Sequence, residues 1–430
     1  MRLKAKNADA GHATRAKLGL PPPPRKKRSR WQAFWLTLAL LILAAAGYSW
    51  WALKQPLPAL LPAKAEISLQ IGTPSGNFSW PAKGQAAVGV MGDANIQTNG
   101  PAQPVAMAST AKLITALCVL QQKPLTSDLS GPVLTLHADD LAYYQSYVAV
   151  GGSVVPVAVG EQISEYQALQ AMLLPSANNI ADSLAKWAFG SLDAYSNYAN
   201  SYLKHHGLSQ THVGADASGL LPDSTSTATD LVKIGQLVMQ NPTLKQIVGQ
   251  ASADSIPNVG TIGNVNQLLG VDSIIGIKTG NNDQDPGVFL GAAQPQVSGH
   301  QPVIITAILG SSSLFQALHD SKILIESAEH NFATITAVQG GDIVGQYRQP
   351  WGGQLSASLS SGLNTTVWNG SDLRAVVKLQ PIQATAKSGE PVGNLTIKPS
   401  LVSNQQQVSI KLDGTPTKPT VWWRLTHPLK

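Results

Sequence analysis

Residues 107–120 read MASTAKLITALCVL. Apolar residues at Leu113, Ile114, Leu117, Cys118 and Leu120 recur at helical spacing, so a helix is expected over 109–120. Ser109 and Lys112 lie three residues apart at its start, where i and i+3 share a face and the ammonium reaches the hydroxyl. A serine hydroxyl is a weak nucleophile until a base takes its proton. Lys112 is that base if burial and neighbouring cations depress its pKa. The helix N-terminus adds partial positive charge, favourable to a developing oxyanion. Taken alone the pattern is weak, because a capping Ser beside a solvated Lys explains it equally well.

Two further motifs follow. ISEYQALQAMLL (163–174) and NIADSLAKWAF (179–189) read as helices, and Ser176-Ala177-Asn178 falls on the loop between them. A hydroxyl and a carboxamide there can relay a proton and hold a peptide carbonyl; alone they read as a turn. IIGIKTG (274–280) reads as a buried strand ending in Lys278-Thr279-Gly280. Lys and Thr offer a cation and a hydroxyl to a carboxylate, and Gly lets a substrate backbone come close. In order, and about 65 and about 100 residues apart, the three make the set S-x-x-K, S-x-N, K-T-G.

On these residues the chain resembles the serine D-Ala-D-Ala carboxypeptidases, the low-molecular-mass penicillin-binding proteins. MASTAKLITAL resembles the family's nucleophile segment, LLPSANNIADSLAKWAFGS its second-motif segment and GIKTGN its third. HGLSQTHVGADASGL and STATDLVKIG are similar to the stretch between them, and KLQPIQATAKSGEPVGNLTI (378–397) is a weaker likeness to a small β domain that often follows. The resemblance covers about residues 65–337. It implies an α/β (α+β) fold: a β-lactamase/DD-peptidase-like antiparallel sheet flanked by helices, with a helical lobe and the active site between them.

The resemblance also implies roles. Ser109 would attack the carbonyl of the penultimate D-Ala, with Lys112 as general base. Ser176 and Asn178 would assist proton transfer and anchor the peptide. Lys278 and Thr279 would bind the terminal carboxylate, beside Gly280. The N–H groups of Ser109 and Asn281 would form the oxyanion hole, and water would release the acyl-enzyme. No metal or other cofactor is implied. The expected partners are peptidoglycan stem peptides, with β-lactams as covalent inhibitors. Ala177 stands where many relatives have Gly, and the loop NNDQDPG (281–287) carries Asp283 and Asp285 at the expected edge of the substrate site, where substrate preference is open.

Three other readings share some of these residues. A β-lactamase would often use a further Glu for deacylation, and no clear E-x-x-x-N segment lies between Ser176 and Lys278. A DD-endopeptidase or transpeptidase differs only in what enters each half-reaction. A non-catalytic wall- or penicillin-binding module would not need the intact motif residues.

Outside the motifs, composition bounds the chain. It has 430 residues, 43% hydrophobic and 13% charged, enough for two folded domains. Its 38 Gly and 28 Pro favour many turns. Ten of the 30 Lys and Arg fall in residues 1–30 with one acid, Asp9, which leaves the body slightly acidic and without a nucleic-acid footprint. Cys118 is the one cysteine, excluding an intramolecular disulfide and a Cys-based zinc site. The histidines match no zinc-peptidase spacing.

The segment AFWLTLALLILAAAGYSWWAL (33–53) is uncharged and long enough to span a bilayer, with aromatic residues at both ends. The expected organisation is a basic cytoplasmic tail (1–30), a transmembrane anchor (31–53), a linker (54–64), the catalytic domain (65–337) and a β-rich C-terminal domain (338–430). The basic flank puts the N-terminus inside and the rest outside a cell membrane. A signal peptide cleaved near Ala44 to Ala46 is the competing reading. Trp422 and Trp423 beside Arg424 suit either an interfacial foot or a packed final strand.

Overall fold

The computed structural model describes residues 30–125, 130–282, 285–371, 373–398 and 406–428. Apart from Arg30, the basic tail lies outside the described residues. The apolar segment forms one helix, Arg30–Lys54, whose 25 residues reach about 37 Å at 1.5 Å each. Ala52 is its one buried residue, and Leu40 to Leu43 are at least 60% exposed, which suits a helix surrounded by lipid.

The central sheet has five antiparallel strands in the spatial order Ile274–Gly280, Val288–Ala293, Ile304–Leu309, Gln85–Val90, Gln97–Asn99. Its three middle strands are buried at every position. The cause is a cover on both faces. Successive side chains point to opposite sides of a sheet, so Ala86, Val88, Val90, Phe289, Ile304 and Ile308 pack with Leu318 and Leu324 of the helix Leu314–Glu329. The alternate set, Ala87, Leu290, Ala292, Ile305 and Ala307, packs with Leu231, Val232 and Ile234 of the helix Ala228–Gln240. Thr227 caps that helix by accepting the Asp230 N–H.

A helical lobe stands beside the sheet: Ala111–Gln122, Ala138–Ala149, Glu165–Leu173, Asn178–Phe189 and Leu192–His205. Ala111–Gln122 is buried from Ala111 to Leu120 and is the pillar of the lobe.

The C-terminal unit is a six-stranded antiparallel sheet in the order Glu66–Ile71, Leu373–Leu379, Pro391–Lys398, Gln406–Asp413, Gln354–Leu359, Ile343–Arg348. A two-stranded ribbon, Phe332–Val338 with Leu363–Trp368, accompanies it. Here the strand pairing crosses the expected boundaries. Glu66–Ile71 pairs with Leu373–Leu379, not with the central sheet. Leu60, expected in a linker, is fully buried and exchanges backbone hydrogen bonds with Ile382 at 2.8 and 3.0 Å. Phe332–Val338, expected in the catalytic domain, pairs within the C-terminal unit. Both flanks of the chain therefore build the β unit, and the unit around the central sheet is inserted between them. Alternating exposure of Glu66–Ile71 marks a half-buried strand but carries no information on its partner.

The final aromatic residues form a short helix, Val421–Thr426, instead of a strand. Trp423 stacks on His427 and meets Trp351 edge-on, while Trp422 is 75% exposed. Tyr48 of the N-terminal helix donates to the Leu425 carbonyl at 2.6 Å, so that helix meets Val421–Thr426.

Candidate active site

Ser109 occupies a 3-10 turn, Ala108–Thr110, that runs into the pillar helix. Ala108 is held at φ 46°, a conformation unfavourable for a residue with a Cβ. The turn is fixed from both sides: the Thr110 hydroxyl donates to the Met107 carbonyl at 2.5 Å, and the Met107 N–H to the Ser224 carbonyl at 3.0 Å. Two glycines permit the approach of neighbouring chain. A Cβ at Gly219, itself at φ 70°, would lie 2.2 Å from the Ala108 carbonyl oxygen. One at Gly280 would lie 3.1 Å from the Ser109 nitrogen. The end of the Ile274–Gly280 strand is thus pressed against the backbone of Ser109.

Lys112 is fully buried. Its Nζ lies 2.8 Å from Ser109 Oγ, 2.7 Å from Asn178 Oδ1 and 2.9 Å from the Ser218 carbonyl oxygen. Three acceptors match the three donors of an ammonium. Burial nevertheless brings its pKa down to about 7, against the pull of Asp216 and Asp182 in the opposite direction. Near neutral pH a large share of the amine is therefore uncharged and able to accept the hydroxyl proton.

Ser176 is buried at φ 68°, immediately before the helix Asn178–Phe189. The Ala177 side chain is fully buried. Asn178 donates its N–H to the Ser153 carbonyl at 2.7 Å, which ties the second motif to the cleft wall at residues 150–153. Lys278 is 2% exposed, donates to the Thr279 carbonyl at 3.1 Å, and is held well below the usual lysine range by burial and then by Lys112.

The structure brings Ser109, Ser176, Asn178, Thr279 and Asn281 to one cleft of ≈ 410 Å³. Lys112 lies beneath its floor, Lys278 is buried beside Thr279, and Gly280 lies against Ser109. A larger depression of ≈ 710 Å³, lined in part by Pro242, Leu269 and Ile274, shares none of these residues.

The loop after Gly280 differs from expectation at Asp285. That side chain is 2% exposed and accepts N–H groups from Gly287 at 3.1 Å and Gly310 at 2.7 Å. It fastens the loop instead of charging the rim. Asp283 lies outside the described residues.

Four groups near the site carried no motif. Asp182, Asp216, Ser218 and Tyr147 are buried around Lys112. Asp182 lies four residues beyond Asn178, a spacing that puts both on one helix face and was available as a signal. Tyr147, 35 residues before Asp182, had no such signal.

Comparison with known proteins follows the same residues. A family model described as D-alanyl-D-alanine carboxypeptidase matches residues 86–312. The D-alanyl-D-alanine carboxypeptidase DacA of Escherichia coli is 27% identical over 240 residues, which is 54% of this chain and 57% of that protein. A D-alanyl-D-alanine carboxypeptidase of a Streptomyces strain is 28% identical over 219 residues, 47% of this chain and 72% of that one. Among solved structures, penicillin binding protein 5 from Haemophilus influenzae superposes with a TM-score of 0.55 at 18% identity. It covers 80% of this chain and 99% of its own, a likeness of fold.

Proposed function

The chain belongs to the D-alanyl-D-alanine carboxypeptidase family, and we propose that it removes the terminal D-Ala from peptidoglycan stem pentapeptides through an acyl-enzyme on Ser109. The observation that carries this reading is the placement of one buried amine, Lys112, within hydrogen-bond reach of both Ser109 Oγ and Asn178 Oδ1.

In the first half-reaction uncharged Lys112 takes the Ser109 proton while Oγ bonds to the carbonyl carbon of the penultimate D-Ala. The carbonyl oxygen becomes an oxyanion, met by the N–H groups of Ser109 and Asn281, which the approach of Gly280 to Ser109 brings to one side of the cleft. The peptide C–N bond then breaks. The proton passes through Ser176 to the departing amine, and free D-Ala leaves. Water attacks the acyl-enzyme, its proton returns by way of Lys112 to Ser109 Oγ, and the shortened peptide is released. Thr279 and Lys278 hold the terminal carboxylate, Thr279 at the cleft surface and Lys278 behind it. A β-lactam amide enters the same first step and acylates the same oxygen. Losing the terminal D-Ala removes the donor bond needed for cross-linking, so the enzyme limits wall cross-linking.

The helix Arg30–Lys54 serves as an uncleaved single-pass anchor, with the N-terminus cytoplasmic and both folded units outside. Ten basic residues within 1–30 support that orientation. The β unit, which contacts the outer end of that helix through residues 421–426, spaces the cleft from the membrane.

The test is release of D-Ala from a peptide ending in Lys-D-Ala-D-Ala by the full chain in detergent, beside Ser109→Ala. Release by the wild type and none by the variant is expected. Equal release by both would overturn the reading.

A further inference from the structure

Asp182 is 3% exposed and stands one turn beyond Asn178 on the same helix. Its two oxygens serve different neighbours. Oδ1 accepts the Ala217 N–H at 2.9 Å, and Oδ2 accepts the Tyr147 hydroxyl at 2.7 Å. The residue after Ala217 is Ser218, whose carbonyl takes the third hydrogen bond of Lys112 at 2.9 Å. The Ala217 carbonyl in turn accepts from Thr115 of the pillar helix at 2.7 Å. On the other branch, Tyr147 lies in the last turn of Ala138–Ala149, and its carbonyl accepts the Gly152 N–H at 2.8 Å. Gly152 and Ser153 wall the cleft, and Ser153 holds the Asn178 backbone.

We propose that Asp182 is a positioning residue for the acyl-transfer reaction, one carboxylate that locks the Lys112 base to its carbonyl acceptor and fixes the cleft wall at Gly152 and Ser153. The proposal rests on the acyl-serine reading and deepens it. Asp182 touches neither substrate nor reacting atoms; it acts through the Ser218 carbonyl, through Asn178 one turn away, and through its charge.

The electrostatics give a readout that packing alone would not move. The ionisable groups around the pair are Asp216 on the 216–220 segment, Tyr143 and Tyr147 on the Ala138–Ala149 helix, Tyr195 on Leu192–His205, and Lys278 behind Lys112. Anionic Asp182 draws the Lys112 pKa upward, while burial lifts Asp182 itself to about 7. The two groups therefore titrate as a pair, and the apparent values belong to both. Removing the Asp182 charge lets Lys112 lose its proton at lower pH.

The experiment is the pH dependence of the second-order rate of covalent labelling by a fluorescent penicillin, on the full chain in detergent. Wild type, Asp182→Asn and Tyr147→Phe are compared. Asn keeps an acceptor for the Ala217 N–H but no charge. Its acid limb is expected to move down by about one pH unit, a tenfold change in midpoint proton concentration. Tyr147→Phe removes a hydrogen bond that favours the carboxylate, so its midpoint moves the same way by less. It stands as the test if Asp182→Asn does not fold. A labelled wild type whose midpoint neither variant moves overturns this proposal alone, even if both variants react more slowly. A wild type that takes no label at any pH overturns the acyl-serine reading and the proposal with it.

Discussion

In the C-terminal sheet the side chains without exposure are Ala357, Leu359, Ala375, Val377, Leu395, Ile397, Ile410 and Leu412, with Tyr347 the one polar-tipped member. Its hydroxyl reaches the Gln380 carbonyl at 2.7 Å. In the catalytic unit the same absence of exposure falls on Lys112, Glu165 and Asn179, and nearly so on Asp182, Asp216 and Lys278. Among the described residues, no Asp, Glu, Lys or Arg is buried between 338 and 428. The first region follows the alternation of a pleated sheet and is stabilised by what it removes from water. The second holds charges where water cannot reach them and bends Ala108 and Ser176 into left-handed conformations. Groups of that kind lower stability and persist where their reactivity is the product of the fold.

The sharpest break in the comparison is Ser109→Ala. It removes one half-buried oxygen and leaves the apolar packing in place, so D-Ala release should fall by about four orders of magnitude or more. The melting temperature should stay within a degree or two. A large change in melting temperature would mean that the turn at Ser109 is a structural feature and not a reactive one.

The mirror-image experiment is Leu395→Ala in the β unit. The full chain should lose about 2–5 kcal/mol in denaturant unfolding. Its kcat per folded molecule should remain within about twofold, because Leu395 packs only in the C-terminal core. A fall in kcat comparable to that of an active-site variant would show that the two units work as one.

Lys278→Met asks whether the catalytic unit carries a stability cost. A buried amine with one carbonyl acceptor is replaced by an apolar chain of similar length. The KM for a peptide ending in a free carboxylate should rise about tenfold, while the melting temperature rises. A lower melting temperature would show that the amine is satisfied in the free enzyme and that the comparison is overdrawn.

The smallest effect is at Glu165. It is fully buried, neither oxygen has a hydrogen-bond partner among the described residues, and burial lifts its pKa to about 7. An unfolded Glu gives up its proton near 4.5, so between that pH and about 7 the native state holds the extra proton. Stability should therefore fall as pH rises through this window. Glu165→Gln should remove that slope and gain on the order of 1 kcal/mol above pH 7. A slope unchanged in the variant would assign it to other groups.

What could be read from the sequence follows the range of each interaction. Ser109 with Lys112 is a contact across three residues, and Ser176 with Asn178 across two, so each motif carries its own geometry. The same holds for the helices read over 163–174 and 179–189 and for the apolar strand read over 274–280. Partners distant in sequence were not legible. Glu66–Ile71 shows the right alternation, yet its partner lies some 300 residues on, in Leu373–Leu379. Asp285 looked like a rim charge because nothing local showed that Gly310 would donate to it. Asp182 carried half a signal, its place one turn from Asn178. The other half, Tyr147 and Ala217, exists only once three elements have packed.

The central claim is that one oxygen, Ser109 Oγ, becomes covalently attached to the acyl group. The most direct measurement is mass spectrometry of the full chain after reaction with benzylpenicillin, followed by proteolysis and sequencing of the modified peptide. The account predicts a single penicilloyl adduct on the peptide containing Ser109, and none after prior conversion of Ser109 to Ala. An adduct on Ser176, or wild-type protein that stays unmodified, would contradict it.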